Sequence, residues 1–94
     1  MTHPEFHSDP SIMMSLLQRT EDGILSADLR NLDPPLPMIV VMRLADAMHD
    51  DAVVTITLDR DPIFAHQELA EIGWRLALIS QQGGVWRFRL EKAR

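Results

Sequence analysis

The segment Asn31-Leu32-Asp33-Pro34-Pro35-Leu36-Pro37 constrains this chain more than any other. Each proline fixes φ and lacks a backbone donor, so neither a central strand nor a helix interior can run through the segment. The stretches on its two sides differ in period. Before it, Ile24 to Leu29 alternates, with Leu25, Ala27 and Leu29 on one face, and reads as a strand. After it, Val41, Leu44, Ala45 and Met48 form one stripe of a helix predicted over Leu36 to His49. The prolines mark a sharp strand-to-helix junction.

Similar punctuation organises the remainder. Asp50-Asp51 breaks the helix, and Ala52 to Asp59 is a β-branched strand. In it Val54, Ile56 and Leu58 face one way, and Val53, Thr55 and Thr57 the other. Asp61 followed by Pro62 predicts a capped helix start, with Ala65, Leu69 and Ile72 inward and Gly73 as the stop. Strands over Arg75 to Ser80 and Val85 to Glu91 flank Gln81-Gln82-Gly83-Gly84, which predicts a hairpin. The last strand sets Trp86, Phe88 and Leu90 against Arg87, Arg89 and Glu91, so the apolar set is expected in the core and the arginines on the helix-free face, with Asp28, Thr55 and Thr57.

Upstream, Met1 to Asp9 is polar and aperiodic, a loose tail. Ile12, Met13, Leu16 and Leu17 keep helical spacing and favour a short helix over Pro10 to Arg19. The rival reading is a strand that turns at Asp22-Gly23 into the next one. The expected fold is α/β, a two-layer α+β sandwich of order β-α-β-α-β-β over residues 24–94, with an N-terminal extension over 1–23. It has a four-stranded mixed sheet and both helices on one face, reached by right-handed crossovers with the strand order reversing between them. A length of 94 residues and an apolar fraction of 46% suit one modest core.

Composition removes several classes of chemistry. There is no cysteine, hence no disulfide, thiolate metal site or cysteine nucleophile. A formal net charge of −5 opposes non-specific nucleic-acid binding. No apolar run approaches the ~20 residues that span a bilayer. Met1 to Glu5 shows no basic region followed by an apolar stretch, so no secretory signal and a cytoplasmic location are expected.

The proline junction resembles that of the TusA-type sulfur carriers, in which a strand runs into Arg-Gly-Leu-x-Cys-Pro-x-Pro and then a helix. Here Arg30, Leu32, Pro35 and Pro37 match, Asn31 replaces the glycine, and Pro34 stands where the sulfur-bearing cysteine would be. A closer resemblance is to the TusA/SirA-like bacterial family called domain of unknown function 2249, through Leu32 to Pro37, Leu58-Asp59-Arg60-Asp61-Pro62, Gly73-Trp74 and Trp86-Arg87. The resemblance covers about Ser26 to Glu91 and implies the TusA-like fold without its sulfur chemistry.

Candidate sites are few. Pro34 offers no nucleophile, and Pro35 and Pro37 remove amides from a helix N-terminus that would otherwise attract anions, so the junction reads as structural. His49 and His66 read as solvated, and His3 and His7 as tail residues; no metal and no cofactor is expected. Arg30, Asp59 and Arg60 lie at strand C-terminal ends, where open α/β sheets collect ligands, and are the candidate ligand-binding set. Ile39 and Met42, projecting among Arg43, Asp46 and Asp50, and Arg87 with Arg89 are the candidate partner-binding residues. The expected function is a non-enzymatic protein-binding or accessory module with a protein partner or a homodimer, and no nucleic acid or membrane. The alternative is a small-ligand carrier or enzyme using Arg30, Asp59 and Arg60.

Overall fold

The computed structural model describes residues 16–93. Its elements are β1 (Leu17–Arg19), β2 (Leu25–Asp28), α1 (Leu36–Ala47), β3 (Val54–Leu58), α2 (Ile63–Glu71), β4 (Trp74–Gln82) and β5 (Val85–Lys92). The protein is α/β, a five-stranded mixed sheet in the order β1-β2-β3-β5-β4. Only β2 and β3 run parallel; the other neighbours are antiparallel.

Two expectations are corrected. The sheet has five strands rather than four, because Leu17–Arg19 is not helical but forms the rival strand, turning through Asp22-Gly23 into β2. Thr20 fixes that turn: its carbonyl accepts from Gly23 N–H at 2.9 Å, and its hydroxyl accepts from Ile24 N–H at 3.1 Å. The remaining part of the expected helix, residues 10–15, and the tail with His3 and His7 lie outside the described residues. The strand order also does not reverse. β2 to β3 and β3 to β4 both step the same way across the sheet, and crossovers of one hand in one direction leave both helices on one face. α1 packs against α2 there.

The core lies between that helix layer and the sheet. Val54, Ile56 and Leu58 of β3 and Phe88 and Leu90 of β5 are buried, as are Ala27 and Leu29. From the helices come Val40, Val41, Leu44 and Ala45 of α1, and Ala65 and Leu69 of α2. Ile72, expected inward, is exposed, because α2 ends at Glu71 and Ile72 leaves helical geometry at φ −107°. Trp86 is half-buried, its ring stacked on Phe88 at 6.2 Å between centroids. Gly73 closes α2 at φ +83°, where an L side chain would be strained. Among the described residues no helix is long and apolar enough to cross a membrane.

The proline junction is built as a stop and a start. The Pro34–Pro35 peptide is cis, Pro35 caps α1, and Pro37 sits in its first turn. Leu36 N–H donates to the Asp33 carbonyl at 2.8 Å, and no side chain caps the helix. One amide is thus occupied and one is missing, which weakens this N-terminus as an anion site.

Candidate functional site

Among the described residues the helices cover one face of the sheet. On the other, strand alternation aligns residues in rows: Ser26, Thr55, Arg89 and Ala77 across β2, β3, β5 and β4, then Asp28, Thr57, Arg87 and Ser80. Arg87 and Arg89 are exposed while Phe88 between them is buried, so the register agrees with the alternation read from sequence. A shallow groove crosses this face, lined by Arg19, Ile24, Val53, Thr55, Ile79 and Arg89 among others. Its aliphatic residues are open to water: Ile24 is 45% exposed, Val53 38% and Ile79 50%. Ile79 reaches the surface because the β4–β5 pairing slips between Leu78 and Ser80, a bulge that inserts one unpaired residue.

Charge distinguishes this face from the rest of the molecule. Glu91 receives Arg75 Nε at 2.8 Å and Arg89 Nε at 2.9 Å. These bonds, Arg75 first, hold its carboxyl below the usual range against the opposing effect of burial. Asp28 and Arg30 cancel each other. Across β4 and β5 this face carries Arg75, Arg87 and Arg89 against Glu91, an excess of two positive charges, with Asp50 and Asp51 at its edge beside Arg75 and Glu91. The helices carry the opposite balance, Arg43 against Asp46, Glu68 and Glu71.

The strand-end set does not form a pocket of free groups. Arg30 donates from Nε to Asp28 Oδ1 at 2.9 Å and from an Nη to Oδ2 at 2.6 Å, while its backbone N–H adds a third bond at 3.1 Å. The Arg30 side chain holds the Asp28 carboxyl below its ordinary range. Asp59 accepts from Arg60 Nε at 3.3 Å, an exposed contact between sequence neighbours. Arg30, Asp59 and Arg60 thus share one end of the sheet, with charges already paired.

Asp61 does not cap α2. Its carboxylate meets His66 Nε2 at 2.9 Å, and Pro62 occupies the cap position with no side-chain bond. His66 therefore has a partner rather than water alone, and its ring stands edge-on to Phe88 at 5.8 Å. The sequence matches no protein-family model and no curated protein.

Of the α1 candidates, Met42 and flanking Met38 pack against the core, and Ile39 is half-buried. With Pro35 and Arg43 they line a shallow apolar groove rather than a bare ridge. The sequence reading passed over Ile63 and Phe64, which are 69% and 77% exposed in the first turn of α2. Their signal was present, since both fall off the Ala65–Leu69 stripe. Ile24, Val53 and Ile79 were missed as one patch because only the sheet order assembles them.

Proposed function

We propose that this chain is a non-enzymatic protein-binding or accessory module of the TusA-like fold, whose partner sits on the open face of the sheet around Arg87 and Arg89. The observation that carries the reading is the groove of exposed Ile24, Val53 and Ile79 beside unburied arginines. An apolar centre rimmed by arginine is the composition of protein interfaces, where arginine is enriched and water is excluded from a central patch. The TusA-like part of the reading rests on the four motifs in their order and on the strand-helix-strand-helix-hairpin succession after β1. A cytoplasmic setting belongs to the same proposal.

The ligand-carrier or enzyme alternative needs Arg30, Asp59 and Arg60 to present free charge at the strand ends. Arg30 is held by both oxygens of Asp28, which argues against it. Ile39 and Met42 are a weaker candidate for the partner surface, because both are partly buried and a single charged residue, Arg43, borders their groove.

The test compares proteins retained from host extract by the unmodified chain and by the folded Arg87→Glu, Arg89→Glu double variant. A protein held by the first and lost by the second supports the reading. Equal retention by both contradicts it.

A further inference from the structure

Two surface features lack a role in the monomer, and they lie on opposite layers. One is the open sheet face, apolar at its centre and basic at its rim. The other is the outer side of α2. There Phe64, Glu68 and Glu71 recur at i, i+4 and i+7 on an exposed flank of the buried Ala65–Leu69 stripe, with Ile63 exposed nearby. That side is an aromatic anchor followed by carboxylates, with Phe64 and Ile63 exposed next to each other in the first turn.

We infer that the occupant of the sheet face is α2 of a second copy of this chain, with Phe64 in the groove between Val53 and Ile79 and Glu68 and Glu71 against Arg89 and Arg87. The assignment rests on the reading of that face as a protein-binding surface, and it names the partner. Dimensions agree. Five strands at about 4.8 Å spacing give a sheet about 19 Å across, and a nine-residue helix is about 13.5 Å long. The charges agree as well: Arg87 is exposed, and Arg89 is bonded to Glu91 through Nε alone, so its Nη groups face the acidic helix, which steers approach and fixes orientation. Because the two surfaces lie on opposite layers, the contact is heterologous. It propagates head to tail rather than closing as a two-fold dimer.

The geometry predicts a test that a two-fold dimer fails. In sedimentation velocity, the unmodified protein should grow past dimer as concentration rises from micromolar to millimolar, and shrink again in 0.5 M salt, about tenfold weaker in association. Phe64→Asp removes the plug and keeps the socket; Arg89→Glu removes the socket and keeps the plug. Ile79→Glu is a second socket variant, at a bulge residue that is 50% exposed. Each variant alone should be a folded monomer, and a plug variant mixed with a socket variant should give a one-to-one dimer that grows no further. An unmodified protein that stays monomeric overturns the inference, as does a mixture that stays monomeric, or a dimer that survives in every single variant. If the monomeric protein still retains another protein through Arg87 and Arg89, this inference falls and the binding-module reading stands.

Discussion

Arg30 clasps Asp28 from two residues away, donating from Nε to one carboxylate oxygen at 2.9 Å and from an Nη to the other at 2.6 Å. The pair neutralises the basic residue best placed for an anion at the strand ends. Asp28 in the unmodified protein should titrate below its ordinary range, and Arg30→Gln should raise it toward that range. Carboxyl carbon shifts measured against pH check this; an unchanged Asp28 would mean that the clasp is not maintained in solution.

Glu91 is the keystone of the open face, shared by Arg75 and Arg89. Its pKa is depressed in the folded state, so its contribution is present above the unfolded value, about 4.3, and is lost as pH falls through the lower folded value. Glu91→Gln should cost about 0.5–1 kcal/mol at pH 7 and lower the melting temperature by roughly 2–6 °C. At a pH below the folded-state value the difference from the unmodified protein should vanish. A difference that persists there would assign the effect to packing.

The two phenylalanines should behave oppositely. Phe88 is 2% exposed, and Phe88→Ala should cost about 3–5 kcal/mol in denaturant melts. Phe64→Ser should change monomer stability by no more than about 0.5 kcal/mol. A large loss at Phe64 would place it in the core and remove it from any interface.

The proline junction should stay inert even when a thiol is supplied. The unmodified chain, having no cysteine, should take no persulfide from a cysteine desulfurase. Pro34→Cys should titrate near the usual thiol value of about 8.5, because Leu36 N–H is bonded to Asp33 and Pro37 has no N–H to offer. A thiol titrating below about 7 would show that α1 still activates this position.

Alternation made most of the sheet legible in the sequence. Val54, Ile56 and Leu58 face in, and Arg87 and Arg89 face out, because a half-buried strand has no other way to satisfy both sets. β1 was not legible: three residues are too few to show a period of two, and the helical spacing of Ile12, Met13, Leu16 and Leu17 outweighed them. Local chemistry misled at Asp61, where capping and pairing compete and His66 five residues on takes the carboxylate. The bulge at Ile79 has no glycine to mark it, and the strand order depends on contacts distant in sequence. The arginines of the candidate site could therefore be read in advance, whereas the apolar groove between them could not.

The most direct test of the account is a dilution series followed by amide NMR of the isotopically labelled protein. Two groups of signals should move together as concentration rises. One comes from the open face at Thr55, Ile79 and Arg89, the other from α2 between Phe64 and Glu71, and both stop moving in Phe64→Asp. Spectra that stay unchanged across the series, or that shift only around Ile39 and Met42 of α1, would contradict it.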